Sequence, residues 1–188
     1  MNPVTSLETP PIIADQPALD LINTVVMENG ESVDHLVSDA ATAAWLSRMT
    51  GGPVEASVGL GARAVELREV VRQAVLARKR GDAVDIAHLN ALTRHMSSHM
   101  ALVEQPGGGL HTERRYEGDA SWRALAPLGE AALTLLAEGD FSLVRECGHE
   151  ECSLWFYDRT KAHRRRWCSM AMCGNRHKVS RFRERQGK

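Results

Sequence analysis

The residues of this chain best suited to chemistry are its four cysteines, all within the last 42 residues. They are spaced as Cys147-x4-Cys152 and Cys168-x4-Cys173, with fifteen residues between the pairs. Two matched pairs of thiolates are the ligand set of a closed, tetrahedral zinc site. A reducing cytosol disfavours the competing disulfides. Cys147, Cys152, Cys168 and Cys173 are therefore the expected ligands of one structural Zn²⁺. Four thiolates leave no open position for catalysis, and the chain shows no carboxylate cluster or Cys-His pair free of the metal, so no enzyme is expected. His149 and His163 share the stretch but are not needed as ligands.

Two chain segments must turn back to bring these sulfurs together. Gly148 relaxes the backbone after the first ligand, and Ser169 can cap a helix that opens at the second pair. Between them, Leu154-Trp155-Phe156-Tyr157-Asp158 is the most aromatic and strand-prone run in the chain. A knuckle, a short hairpin and a helix around one ion make a treble-clef-like zinc finger. About forty residues bury too little apolar surface to fold alone, so metal binding must supply part of the folding free energy.

Charge separates this module from the remainder. Residues 145–188 carry twelve Lys and Arg against five Asp and Glu, a net +7; the rest carries eleven against nineteen, a net −8, which together give the chain's −1. A basic end on an acidic body is the asymmetry expected where one end meets a polyanion. Arg164, Arg165 and Arg166 precede the third ligand. Beyond the fourth, Arg176, Lys178, Arg181, Arg185 and Lys188 follow; if this stretch is helical, Lys178, Arg181, Arg185 and Lys188 share a face while Val179 and Phe182 pack inwards. These eight residues are the candidate contacts to DNA phosphates.

The body that must carry the finger reads as mainly helical. Pro17 begins a helix with Ala18, Ile22, Val25 and Val26 on one side and Asn29-Gly30 as its stop. Ser38 caps a second helix that Gly51-Gly52-Pro53 ends. Leu60, Ala64, Leu67, Val71 and Val75 form the stripe of a third, with Arg68 among its outward residues. A fourth carries Ile86 and Leu89, and a last one, capped by Asp119 or Ser121, carries Leu125, Leu128, Ala132 and Leu135, with a kink expected at Pro127. Between Ser97 and Glu117, alternation around Pro106-Gly107-Gly108-Gly109 reads as a β-hairpin. His88, His95, His99 and His111 do not converge on a second metal site. Polar residues and tryptophans set in apolar helices, Asp20, Asn23, Trp45 and Trp122, are the candidates for binding a small-molecule effector, although an Asn23 tying down a neighbouring loop is the simpler reading.

The composition changes near residue 143, which divides the chain into a helical domain, 1–143, and a finger, 144–188. No apolar run approaches the roughly 18 residues that span a bilayer. Met1–Pro11 lacks the basic and apolar regions of an export signal, so a cytoplasmic protein without membrane contact is expected.

The run Arg165-Arg166-Trp167-Cys168-Ser169-Met170, followed by Cys173-Gly174-Asn175-Arg176 and then Lys178, resembles the CGNR zinc finger over about residues 145–186. Leu19-Asp20-Leu21-Ile22-Asn23-Thr24 and the helical body are similar to the ABATE domain that accompanies this finger in bacteria. The resemblance implies a stress-induced transcription regulator with the four cysteines as ligands and DNA as partner. A homodimer and an effector are compatible with it. The alternative is a protein-interaction module whose basic finger docks an acidic partner.

Overall fold

The computed structural model describes residues 9–186, so Lys188 lies outside the described residues. The first helix, α1 (Pro17–Ile22), is short: Gln16 caps it by accepting from the Ala18 amide at 3.0 Å, and the Asn23 amide donates back to Leu19 at 2.9 Å. The chain then forms a hairpin of β1 (Val25–Glu28) and β2 (Glu31–Asp34), with Val26 opposite Val33. This corrects the longer helix expected here. Asn29 and Gly30 both adopt left-handed angles, φ 53° and 85°, which make the two-residue turn that matches strand twist. Over so few residues the apolar spacing fits either period, and the Asn-Gly turn decides the outcome.

The remaining helices follow their apolar stripes. They are α2 (Asp39–Thr50), α3 (Leu60–Arg80), α4 (Ile86–Thr93) and α5 (Ala120–Glu138). Ser38 and Asp119 cap α2 and α5, each side chain accepting from helix amides. The five expected α3 residues are fully buried, and α5 runs unbroken through Pro127. α3 packs on α1, α2 and α5, giving one core in which Trp45, Leu46, Leu67 and Leu125 are buried. Arg68 turns inwards rather than outwards. Both of its terminal nitrogens reach Asp34 at 2.7 Å and one also donates to Thr24, which ties the β1–β2 hairpin to α3. That partner lowers the Asp34 carboxyl below its ordinary range. Ile86, expected on the apolar side of α4, is exposed.

The expected second hairpin is present as β3 (Ser98–Glu104) and β4 (Leu110–Tyr116), paired from Ser98↔Tyr116 to Glu104↔Leu110. Beyond α5 come β5 (Val144–Glu146) and β6 (Trp155–Tyr157), an antiparallel pair. A single wide helical turn over Met170–Gly174 then leads into α6 (Asn175–Gln186). The fold is mainly α, with three small antiparallel ribbons among the described residues. Among the described residues no helix is long and apolar enough to cross a membrane.

The two units divide by composition but share their interior. Val144 and Trp155 of the finger belong to the body's core, while Val26 of the body belongs to the finger's core with Phe156, Leu154 and the cysteines. The finger is therefore fused to the helical body rather than hung from it.

Candidate metal centre and its basic surface

The knuckle between the first two cysteines forms because each segment finds a backbone partner. The Cys147 amide donates to the Leu154 carbonyl at 2.8 Å, which carries the β5–β6 pairing into the turn, and the Cys152 amide donates to the His149 carbonyl at 3.0 Å. Gly148 donates to the Arg166 carbonyl at 2.8 Å, and a side chain there would meet that same carbonyl oxygen at 3.1 Å. Close approach of two backbones, rather than a left-handed conformation, requires this glycine. At the second pair, Ser169 Oγ accepts from Ala171 at 3.2 Å and from Met172 at 3.5 Å, as expected of its capping role.

These turns bring the Sγ atoms of Cys147, Cys152, Cys168 and Cys173 within 4.8 Å of one another. Cys168 Sγ lies 3.8 Å from Cys152 Sγ and 3.5 Å from Cys173 Sγ. Four sulfurs about 2.3 Å from a central zinc would stand about 3.8 Å apart along the edges of a tetrahedron. The cluster has that size. The Cys168 amide also donates to Cys147 Sγ at 3.3 Å, a bond that favours a thiolate. Crowding splits the thiols. Hydrogen bonds from neighbouring thiols hold Cys147 below the ordinary thiol range, whereas the same neighbours push Cys168 and Cys173 above it. All four ionise together only when a cation compensates their repulsion, and a soft dication of zinc's size fits both the donors and the spacing. The residues hold one zinc ion, with no fifth ligand among the described residues of the cluster.

In the tetrapeptide from Cys173 to Arg176 the first three residues have separate duties. Cys173 is a ligand, and Gly174 sits where a side chain would collide with Met170 and press on Trp167. Asn175 Nδ2 donates to the Ala171 carbonyl at 3.5 Å, and Arg176 is half-buried. α6 lies with His177 tilted against Trp167, ring centroids 4.7 Å apart.

Arg165, one of the expected phosphate contacts, is engaged within the protein. Its guanidinium packs over Phe156 at 4.4 Å, donates to the carbonyls of Ile13 at 2.9 Å and Trp167 at 3.0 Å, reaches the Cys168 carbonyl, and pairs with Asp15. Its backbone amide donates to buried Asp158, which also accepts from Thr160. These bonds join the finger to the lead-in segment of the body. The other expected contacts among the described residues are at least partly exposed. Arg164, Arg166, Lys178, Arg181 and Arg185 are exposed, and Arg176 is half-exposed. Arg166 and Arg181 flank one cleft with His149, His177 and Ser180, while Arg164 and Arg166 border a groove with Trp167 and Met170. Val179 and Phe182 do not pack inwards: they are 47% and 60% exposed, because α6 buries its His177 side instead.

The four proposed effector residues each have partners of their own in the protein interior or at its edge. Asn23 uses its whole amide on the finger, donating to the Trp155 carbonyl at 2.8 Å and accepting from the Trp155 amide at 2.7 Å. Asp20 Oδ1 accepts from the Ile13 and Ala14 amides at 2.8 and 2.9 Å, and burial raises its carboxyl to about 6. Trp45 is in the core, and Trp122 stacks on His95 at 5.4 Å beside Arg63. Sequence reasoning missed Asp15 and Trp155 as seam residues, and Arg145, which donates to the His163 carbonyl and faces Asp158, as a brace within the finger. The aromatic, strand-prone run contained Trp155 without marking its partner, and nothing local marks Asp15.

Comparison with family models matches residues 15–139 to ABATE, described as "Putative stress-induced transcription regulator", and residues 144–186 to the CGNR zinc finger. No curated protein matches the chain. The matched ranges meet where the composition changes, and the second encloses the four-cysteine cluster. The chain belongs to the ABATE family and ends in a CGNR zinc finger.

Proposed function

We propose that this protein is a zinc-dependent, DNA-binding transcription regulator of the cytoplasm, in which zinc shapes the finger and the exposed cations of its surface contact DNA phosphates. The observation that carries this reading is the division among the arginines. Arg165 and Arg145 are spent on protein carbonyls and carboxylates, whereas Arg164, Arg166, Lys178, Arg181 and Arg185 remain exposed on adjoining turns. On α6 the spacing of Lys178, Arg181 and Arg185 keeps three cations on one side of the exposed Val179 and Phe182. Cations beside apolar side chains on one helix combine phosphate contact with a surface able to meet base edges.

Sensing of a small molecule belongs to the same proposal, placed away from Asp20 and Asn23, which are buried and bonded to the backbone of Ile13, Ala14 and Trp155. A groove of about 690 Å³ at the seam is lined by Ile13 and Asp15 of the body and by Arg164, Trp167 and Met170 of the finger. A ligand there would touch both units. The test is a gel shift and footprint on the DNA upstream of the gene, with and without chelator. A footprint lost on chelation, and weakened in Arg181→Ala/Arg185→Ala without zinc release, is expected. Full affinity in that double variant would remove α6 from the interface.

The exposed Val179 and Phe182 favour one alternative, a finger that docks an acidic protein. Such binding would be indifferent to duplex DNA.

A further inference from the structure

The Trp167 indole lies between the cysteine knuckle and the turn that leads into α6. A side chain at Gly148 would meet its ring at 3.6 Å, and one at Gly174 would meet it at 3.3 Å. The ring in turn holds two nitrogen-bearing side chains: the Arg166 guanidinium at 5.0 Å from its centroid and the His177 ring at 4.7 Å. The Gly148 amide on the Arg166 carbonyl, at 2.8 Å, fixes the backbone of this arginine to the knuckle.

A cleft of about 350 Å³ gathers side chains from three segments: His149 of the knuckle, Arg166, and His177 and Arg181 of α6, which stand one helical turn apart. His149 lies between the first two ligands, Arg166 just before the third, and α6 beyond the fourth, so closing the metal site closes the cleft. Arg166 and Arg181 make no ion pair among the described residues, and Glu150, an acid bordering the cleft, pairs with neither. Two guanidinium groups on one cleft without a counter-charge are complementary to an anion. The Glu151 amide donates to His149 Nδ1 at 3.3 Å, so the neutral ring carries its proton on Nε2 and donates from there. Donors arriving from three segments suit the tetrahedral oxygens of a phosphate group; a planar carboxylate is satisfied by one guanidinium fork.

We propose that this cleft is a seat for phosphate of the DNA backbone, in which Arg166 and Arg181 supply the charge and His149 and His177 donate as neutral rings. The source of the phosphate rests on the DNA-binding reading above. The two histidines are contacts that a charge count does not reveal, because a neutral imidazole neutralises no phosphate and releases no counterion.

Two titrations of the zinc-loaded full chain test this. Inorganic phosphate, exchanged for chloride at constant pH and ionic strength, should move the ring-proton NMR signals of His149 and His177 together along one saturating curve. Arg166→Ala/Arg181→Ala should abolish that response with zinc still bound. Fluorescence anisotropy of a labelled duplex is the second arm. His177→Phe keeps a ring against Trp167 but has no N–H, and should weaken duplex binding about fivefold, the worth of one hydrogen bond, with salt slope and zinc content unchanged. Ring signals that follow phosphate while His177→Phe binds duplex like wild type overturn the assignment to DNA and give the seat to a free phosphorylated molecule. Ring signals indifferent to phosphate, with full duplex affinity in His177→Phe, overturn the seat itself. The salt slope of the wild type, read in the same titrations, judges the DNA-binding reading separately.

Discussion

Asn23→Ala is the substitution that most directly probes how the helical body holds the finger. The Asn23 side chain acts as an extra strand residue, its amide accepting from and donating to the backbone of Trp155 at 2.7 and 2.8 Å. Alanine leaves a buried N–H and a buried C=O at Trp155 without partners. Each orphaned group costs about 1–3 kcal/mol, so the expected loss is about 2–6 kcal/mol, with a further contribution from the space vacated. The strand being released adjoins Leu154, whose carbonyl accepts from the Cys147 amide, so the loss should reach the metal site. Urea unfolding of the zinc-loaded protein, followed by tryptophan fluorescence, measures the first effect. The rate at which a colorimetric chelator strips zinc measures the second, and it should rise in the variant. Asn23→Asp should be as damaging, because a carboxylate would face the Trp155 carbonyl. A stability change below about 1 kcal/mol together with unchanged zinc stripping would refute the account of a fused body and finger.

Two further outcomes follow from the seam. Asp20 is buried with its carboxyl raised to about 6, against an ordinary value of 3.8. A raised carboxyl means that the folded state holds the proton more tightly, so stability falls as pH rises from about 4 to about 6. In Asp20→Asn the side-chain oxygen can still accept from both backbone amides, and it carries no charge to bury. The stability advantage of this variant over wild type should grow by about 3 kcal/mol across that interval, read as the difference between denaturation curves at each pH. A constant difference would show that Asp20 ionises normally. Arg165→Ala removes the guanidinium from Ile13, Asp15 and the Cys168 carbonyl, and thermal unfolding should shift down by several degrees with faster zinc loss; a neutral effect would make Arg165 an ordinary surface residue.

Much of this architecture is legible in the chain because local signals agree. The α3 stripe from Leu60 to Val75, the Ser38 and Asp119 caps, and the hairpin around Pro106–Gly109 each follow from a period and a punctuation residue. The cysteine spacing locates the metal site, since ligand convergence is a constraint that sequence separation alone expresses. What stays hidden is long-range. Arg68 looks like an outward residue on its helix until Asp34 arrives from a different hairpin. Arg165 cannot be told from Arg164 and Arg166 by composition; only Asp15 and Ile13, some 150 residues earlier, separate it from them. Asn23 shows the same limit: its burial is readable, but its partner 132 residues away is not. Val179 and Phe182 are misplaced for a related reason. Apolar spacing suggests a buried face, yet His177 on Trp167 sets the rotation of α6.

The central claim, that the exposed cations of the finger bind DNA, is tested most directly by the salt dependence of affinity. Fluorescence anisotropy of a labelled duplex, titrated over a series of salt concentrations, yields the slope of log affinity against log salt. Arg164, Arg166, Arg176, Lys178, Arg181 and Arg185 are the six described candidates once Arg165 is set aside. Six phosphate contacts predict a slope of about −5, falling in magnitude by about one for each exposed arginine replaced by alanine. Arg165→Ala should leave the slope unchanged. A slope near zero for the zinc-loaded protein, or one that Arg164→Ala, Arg166→Ala, Arg181→Ala and Arg185→Ala all leave untouched, would contradict it.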